Sequence, residues 1–226
     1  MGATGGSRKN VDWSLYVLTD EKGGHSHLEV AEGAIAGGAT VIQLRAKEMD
    51  ARRLYQTALR LREMTREAGV VFIVNDRVDV ALAVDADGVH VGQQDLPASV
   101  VRRLVGPDKI VGLTATNVEE ALEAEREGAA DYLGVGPVFT FPTIIKPDAS
   151  PPIGLDGLRA IVQAVSLPVI AIGGIEHHNV KDVIWTGAEG VAVVHAVAWA
   201  EDVAEAARGL LALVKEAKAT QEERRT

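Results

Sequence analysis

The sequence predicts an α/β fold, a single (β/α)8 TIM barrel with parallel strands, and two observations support this. Eight short apolar runs alternate with segments of helical periodicity along the 226 residues, as expected for βαβ units in a parallel sheet. No G-x-G-x-x-G follows the first run, LYVLTD, which disfavours an open dinucleotide-binding sheet. A different open α/β sheet remains the alternative. In a barrel of this kind, the active site is expected at the carboxyl ends of the strands.

Each predicted strand begins after a small residue or Gly and ends at polar residues or Gly. In chain order they lie in LYVLTD from Leu15, GGATVIQLRAK from Gly37, AGVVFIVND from Ala68, DADGVHVGQQD from Asp85, KIVGLTAT from Lys109, GAADYLGVGPV from Gly128, PVIAIGGI from Pro168 and GAEGVAVVHA from Gly187. Aromatic residues make up only 4% of the chain, so Val, Ile, Leu and Ala must fill the core. Such residues are typical of parallel sheets that helices cover on both faces.

Helices are predicted between these strands. The segment 50–69 places Leu and Met residues among charged ones at helical spacing. Asn117, with Glu120 three residues later, matches the start of a capped helix. The helix after the fourth strand, at about 97–106, has the weakest pattern. Residues 13–218 are therefore expected to form one catalytic barrel domain, between a flexible N-terminal tail at 1–12 and a charged C-terminal tail at 219–226.

Composition limits the classes of partner. The net charge of −9 argues against a general nucleic-acid or anionic-membrane surface. Because the chain has no Cys, a disulfide framework and thiolate chemistry are excluded. The opening residues have no apolar signal core, and no apolar run approaches the roughly 18 residues that a membrane span needs. A cytoplasmic location is the expectation.

Polar residues collect where the predicted strands end. Gln43, Arg45 and Lys47 alternate along the second strand, so all three point to one side of the sheet, the barrel interior or its mouth. Such a row is costly there unless its members meet a ligand or each other. The ends of later strands carry Asn75, Asp76, Gln93, Gln94, Asp95, Thr114 and Thr116, the eighth strand carries His195, and the loop after the sixth contains Lys146.

The acidic pair predicts a metal site. Asp76 and Asp95 follow adjacent strands, which run about 5 Å apart. Two carboxylates that close repel each other unless a cation lies between them. Carboxylate oxygens together with phosphate oxygens are the usual ligands of Mg²⁺, and Arg45, Lys47 and Lys146 would complete a cage for a diphosphate. Taken singly, either acid would more simply cap a helix.

A second signal is the Gly173-Gly174 pair, after the seventh strand. It precedes a helix that is expected to begin near His178 or Asn179, and it would let backbone N–H groups approach a phosphate. Barrels often bind a phosphate between the loops that follow strands seven and eight. Considered alone, the Gly pair would be explained equally well by a tight turn. Its position after the seventh strand is what favours a phosphate site.

Several of these segments together resemble the thiamine phosphate synthase family. The resemblance rests on QLRAK, VNDRVDVALAVDADGVHVGQQDLP, AADYLGVGPV, PVIAIGGI and GAEGVAVV, and it runs from about Leu15 to Lys215. It implies a transferase that joins hydroxymethylpyrimidine diphosphate to hydroxyethylthiazole phosphate, or to its carboxylate form, and releases pyrophosphate. The implied partners are these small molecules and Mg²⁺, with no nucleic acid and no membrane; a homo-oligomer stays open.

The resemblance also implies roles for individual residues. The catalytic set that neutralises the departing diphosphate would be Arg45, Lys47, Thr114 and Lys146. The Mg²⁺ ligands would be Asp76 and Asp95. Substrate binding would use these cations and Thr114 together with Gln43, Asn75, Thr143, Gly174, Val194 and His195. No side-chain nucleophile is required, so the absence of Cys does not count against the reaction.

Three positions depart from the family pattern. The loop after the sixth strand, GPVFTFPTIIK, has two extra residues and places Ile145 where a second Thr is usual. Thr116 stands where a His or similar polar residue is usual. His195 replaces a Ser that helps to bind phosphate, and it either is a structural residue or donates to the phosphate from a ring nitrogen.

Three alternatives remain. A thiazole tautomerase shares the barrel, and His195 and the altered loop favour it. The retained acidic pair with Arg45 and Lys47 disfavours it, since a tautomerase releases no diphosphate. A non-catalytic barrel that binds thiamine phosphates would not release pyrophosphate. A sugar-phosphate isomerase would share the Gly pair but would not need the paired acids.

Overall fold

A computed structural model describes residues 11–140 and 151–223, and it confirms the predicted (β/α)8 barrel. Eight parallel strands follow one another around a closed barrel, and the eighth pairs with the first. The strands are β1 (Leu15–Thr19), β2 (Val41–Leu44), β3 (Val71–Asn75), β4 (Gly88–Val91), β5 (Ile110–Ala115), β6 (Tyr132–Val135), β7 (Val169–Ile172) and β8 (Gly190–Val193).

Helices alternate with these strands on the outside of the barrel. They are α1 (His27–Ala36), α2 (Ala51–Ala68), α3 (Val78–Ala83), α4 (Ala98–Val105), α5 (Val118–Glu127), α6 (Gly154–Ala164), α7 (Val180–Ile184), α8 (His195–Ala198) and α9 (Val203–Glu223). Among the helices of the described chain, none is long and apolar enough to cross a membrane.

Local sequence explains where the longer helices begin and end. The predicted cap at Asn117 is confirmed, because its side chain accepts a hydrogen bond of 2.9 Å from the backbone N–H of Glu120. Asp50 does the same for the N–H of Arg53 at the start of α2. That helix ends at Gly69, whose φ of 68° lies in the left-handed region that favours glycine.

The core has two layers. A large aliphatic layer fills the space between the strands and the helices. A smaller cluster lies inside the barrel and consists of Trp13, Tyr16, Leu18, Val41, Ile73, Ile110, Tyr132, Ile170 and Ala192. Three of the chain's few aromatic residues therefore pack together inside the barrel, with the ring centroids of Trp13 and Tyr132 4.4 Å apart. This inner cluster forms the floor of the cavity at the barrel mouth.

Two features near the C-terminus differ from expectation. The prediction that His195 lies on the eighth strand is wrong, because β8 ends at Val193 and His195 is the first residue of α8. Val194 leaves the extended conformation (φ −112°, ψ −75°) and turns the chain. Helix α9 continues to Glu223, so residues 219–223, expected in a tail, are helical.

Candidate active site

The predicted strand-end residues line one cavity of about 180 Å³ at the carboxyl ends of the strands, which we call the central cavity. From the expected set it brings together Gln43, Arg45, Lys47, Asn75, Asp76, Asp95 and Thr114. Gln43 lies on the barrel floor, 2% exposed, while Arg45 and Lys47 lie beyond the last residue of β2, at the mouth. The alternation predicted for these three residues therefore places one below the substrate space and two at its rim.

One lysine and two carboxylates, Lys47, Asp76 and Asp95, lie at the rim of the central cavity. Lys47 Nζ lies 2.9 Å from Asp76 Oδ2, and half of the Lys47 side chain is exposed. The side chains of Asp76 and Asp95 are close enough to share a hydrogen bond. Asp95 Oδ2 also accepts a hydrogen bond of 2.7 Å from the backbone N–H of Gly92. The two acids expected to meet over a positive charge do meet, and Lys47 supplies one such charge.

The environment moves the two carboxyl pKa values in opposite directions. Burial raises the pKa of Asp76, and the adjacent Asp95 adds to this, while Lys47 opposes it. For Asp95, burial also acts to raise the pKa, but hydrogen bonds from the Gly92 N–H and from Asp76, with the charge of Lys47, outweigh it, and its pKa is lowered. The two environments thus favour protonation of Asp76 over protonation of Asp95.

The backbone at Asp76 is in an uncommon conformation. Its φ is 61°, in the left-handed region that residues other than Gly rarely adopt. The Asp76 N–H donates a hydrogen bond of 2.8 Å to the carbonyl of His90 on the neighbouring strand β4. This bond anchors the turn that carries the Asp76 carboxylate towards Asp95.

The acidic pair suits a hard divalent cation. Within residues 11–140 and 151–223, no group of three or more His, Cys, Asp or Glu side chains is arranged to hold a metal ion. In the described part of the chain the pair therefore offers two carboxylates, and oxygens of substrate or water could supply further ligands. Mg²⁺ is commonly held in this way, by one or two carboxylates and phosphate oxygens. A cation between the two carboxylates would relieve the repulsion between their charges.

A second, smaller cavity of about 110 Å³ adjoins the first. Its wall includes Gly173, Gly174, Val194 and His195, all but the first expected in the substrate-binding set. Both glycines have positive φ, 98° and 67°. A Cβ on Gly174 would lie 2.7 Å from the Cβ of Phe139, so only glycine fits between these loops. The close contact at this point is with Phe139, and the approach of backbone N–H groups to a phosphate stays a prediction. We call this the second cavity.

His195 lies beside an acid at the edge of the second cavity. Its Nδ1 is 3.5 Å from Oε1 of Glu176, and its ring meets the edge of the Trp199 ring at 5.1 Å. Trp199 in turn donates a hydrogen bond of 3.0 Å from Nε1 to Asp20. The imidazole is therefore held against α8 with a carboxylate within reach.

Thr116 is not among the residues that line the central or the second cavity. The N–H and hydroxyl of Thr116 donate to the Glu120 carboxylate at 2.7 and 3.0 Å, so this residue serves the start of α5. Thr143, Ile145 and Lys146 lie outside the described residues.

The sequence analysis missed three residues of the cavity floor, Tyr16, His90 and Tyr132. His90 Nδ1 is 3.0 Å from the Tyr132 hydroxyl, and its Nε2 is 3.0 Å from Oγ1 of Thr114. Burial lowers the pKa of His90 to about 4, and it raises the pKa values of both tyrosines. The signal for His90 was available, since it lies between two apolar valines in GVHV, on the inward face of a predicted strand.

Comparisons with known proteins agree with this geometry. A family model described as Thiamine monophosphate synthase matches residues 15–197. A thiamine-phosphate synthase from Chloroflexus aurantiacus is 60% identical over 206 residues, covering 90% of this chain and 94% of the relative. One from Moorella thermoacetica is 55% identical over 208 residues, covering 91% and 98%. The solved structure of a thiamine phosphate pyrophosphorylase from Pyrococcus furiosus superposes with a TM-score of 0.84 at 46% identity, covering 91% of this chain and 97% of that one.

Proposed function

Since the chain belongs to the thiamine monophosphate synthase family, we propose that it condenses hydroxymethylpyrimidine diphosphate with hydroxyethylthiazole phosphate to give thiamine phosphate and pyrophosphate. The observation that carries this proposal is the cluster of Lys47, Asp76 and Asp95 at the rim of the central cavity, directly above a floor of hydrogen-bonding side chains. A diphosphate at the rim and a pyrimidine ring below it match these two levels.

The reaction breaks one bond and forms another. The carbon–oxygen bond between the pyrimidine methylene and the diphosphate breaks, and its electron pair leaves with pyrophosphate. The amino group of the ring stabilises the positive charge left on the methylene carbon. The thiazole nitrogen then donates its lone pair to that carbon, which forms the carbon–nitrogen bond of thiamine phosphate. No proton transfer to a side chain is needed for this step, so positioning and charge stabilisation are the protein's tasks.

The residues at the rim would bind the leaving group. Lys47 and Arg45 would place positive charge against the diphosphate oxygens, and Asn75 would donate to them from its amide. Asp76 and Asp95 would hold Mg²⁺. When bound, Mg²⁺ would neutralise the charge that develops on the departing pyrophosphate. Half of the Lys47 side chain is exposed, so it can swing from Asp76 to a phosphate at little cost.

The second cavity would bind the thiazole phosphate. It shares Ile172 and Ala192 with the central cavity, so ligands bound in the two cavities would lie next to each other. The backbone around Gly174 and the Val194 turn would approach the phosphate closely, and His195 would donate to it from a ring nitrogen. This layout would place the thiazole nitrogen against the face of the pyrimidine methylene that lies opposite the leaving group.

One observation favours a second candidate, a thiazole tautomerase. His195 beside Glu176 at the second cavity is a pair that acid–base chemistry on a thiazole carboxylate phosphate could use. The rim cluster has no task in that reaction, because no diphosphate leaves. Formation of thiamine phosphate therefore separates the two candidates, and the synthase accounts for more of the site.

The test is thiamine phosphate formation from both substrates with added Mg²⁺, in the wild type and in Asp95→Asn. We expect the variant to lose about a hundredfold or more in kcat. Asp79→Asn is the matched control, because Asp79 is an exposed carboxylate that pairs with Arg77 on the same side of the barrel. Full activity in Asp95→Asn would contradict the metal assignment, and a wild type that isomerises the thiazole carboxylate without forming thiamine phosphate would favour the tautomerase.

A further inference from the structure

A continuous chain of hydrogen bonds crosses the floor of the central cavity. It starts at Gln43 on β2 and ends at Thr114 on β5, and both ends line the cavity. The links are Gln43 Nε2 to Tyr16 Oη at 2.6 Å, Tyr16 Oη to Tyr132 Oη at 2.8 Å, Tyr132 Oη to His90 Nδ1 at 3.0 Å, and His90 Nε2 to Thr114 Oγ1 at 3.0 Å.

The chemistry of these groups fixes the direction of every link. Gln43 Nε2 is a donor only, so the Tyr16 hydroxyl accepts from it and gives its single proton to Tyr132. Tyr132 then donates its proton to His90 Nδ1. If Tyr132 instead donated to Tyr16, the buried Tyr16 proton would have no acceptor among the partners in the described chain, which is costly. His90 is therefore the neutral tautomer with its proton on Nε2, and it donates to Thr114.

This order decides what the two ends of the chain present to a ligand. Gln43 uses its nitrogen within the chain, so its Oε1 is left as an acceptor. That oxygen is buried and has no hydrogen-bond partner among the described residues. Thr114 Oγ1 accepts from His90, so its own hydroxyl proton is free to be donated into the cavity. The floor thus offers one acceptor and one donor on opposite sides.

Two glycines keep the middle of the chain in place. A Cβ on Gly112 of β5 would lie 2.5 Å from His90 Nδ1, and one on Gly134 of β6 would lie 2.9 Å from His90 Cε1. The Tyr132 ring also packs against the Trp13 ring, with centroids 4.4 Å apart and an angle of 37° between the ring planes. Because the rings fill the space that these strands leave, neither can rotate away from its partner without a clash.

We propose that this chain selects the pyrimidine substrate by its proton pattern, with Tyr16, Tyr132 and His90 as positioning residues that act through Gln43 and Thr114. The inference rests on the proposed function. An aminopyrimidine carries an amino N–H donor and, on the opposite side of the ring, a nitrogen acceptor, which is complementary to the Gln43 acceptor and the Thr114 donor. The corresponding oxo-pyrimidine carries an acceptor oxygen in place of the amino group, so it would face the Gln43 oxygen with a second acceptor and the contact with Gln43 would be lost.

The experiment compares the diphosphates of the amino- and oxo-pyrimidines, by calorimetric binding and by kcat/KM with thiazole phosphate and Mg²⁺. The wild type should prefer the amino compound by about a hundredfold or more, as sites built around substrate hydrogen bonds do. Tyr132→Phe keeps the ring but cuts the chain, and should reduce this preference at least about tenfold. Tyr16→Phe cuts a different link and should do the same, and Tyr55→Phe, on an exposed ring of α2, is the control.

The outcomes separate the two proposals. A merely structural role would lower turnover of both compounds equally and leave their ratio unchanged. An unchanged ratio in folded Tyr132→Phe and Tyr16→Phe would overturn the proton-order inference while the synthase activity stood. A wild type that binds both diphosphates equally, or prefers the oxo compound, would overturn it as well. A wild type that binds the amino diphosphate with the expected preference but forms no product would support the inference and count against the proposed reaction.

Discussion

Replacing His90 with Gln should make the free energy of unfolding fall less steeply as the pH is lowered. Burial lowers the pKa of His90 from 6.5 to about 4, although Asp95 acts in the opposite direction. In acid, the unfolded chain therefore binds a proton on this residue that the folded chain does not. Its contribution to stability is fully present above about pH 6.5 and is lost as the pH falls towards 4.

The size of the effect follows from the shift. A shift of one pKa unit corresponds to about 1.4 kcal/mol, so the full loss is about 3 kcal/mol. Between about pH 7.5 and about pH 5, the wild type should lose about 2 kcal/mol of unfolding free energy through this residue alone. A Gln side chain does not titrate, so the variant should lack this component, although it will be less stable at neutral pH because it loses hydrogen bonds to Tyr132 and Thr114.

The assay is urea unfolding of the wild type and of His90→Gln across this pH range. Other groups that titrate, such as the buried His27 whose pKa is also lowered by burial, contribute equally to both proteins and cancel in the difference. The exposed His178→Gln variant is the control, and its profile should follow the wild type. The reasoning would be refuted if the difference in unfolding free energy between the wild type and His90→Gln changed by less than about 0.5 kcal/mol across this pH range.

Three further predictions concern single residues. Gly190→Ala should cost at least about 3 kcal/mol in urea unfolding, since its Cβ would collide with the Trp13 carbonyl, and a loss below about 1 kcal/mol would count against the described β8 packing. Arg102→Met should lower the free energy of unfolding by about 2–3 kcal/mol, because this mostly buried guanidinium bonds Asp131 and three backbone carbonyls. A change close to zero would argue against that network. Lys47→Met should lower kcat/KM about a hundredfold. It should change the free energy of unfolding by less than about 0.5 kcal/mol, because the ion pair of Lys47 is half exposed. A large loss of stability with unchanged kcat/KM would make Lys47 a structural residue.

Most of the barrel could be predicted from the sequence because each apolar run carries its own boundaries. The alternation of Gln43, Arg45 and Lys47 and the positions of Asp76 and Asp95 needed only the rule that parallel strands end on one side. The wrong position of His195 has a local cause. The run VAVVHAVA is apolar except for His195 itself, so nothing in its pattern marks the turn at Val194 where β8 gives way to α8.

The floor network could not be predicted because it depends on closure of the barrel. Tyr16, His90 and Tyr132 come from β1, β4 and β6, and the links between them cross the barrel interior rather than joining neighbouring strands. A single strand shows only that a polar residue points inward. Its partner is decided by packing in three dimensions, which also explains the need for glycine at positions 112 and 134.

The most direct test of the proposed synthase activity is the stoichiometry of its two products. Purified protein would be incubated with pyrimidine diphosphate, thiazole phosphate and Mg²⁺, and pyrophosphate and thiamine phosphate would be measured in the same samples. We expect equal amounts of the two, and neither product when one substrate or the metal is left out. Pyrophosphate without thiamine phosphate, or no product from a folded protein that binds both substrates, would contradict the proposal that the rim cluster and the two cavities perform one condensation.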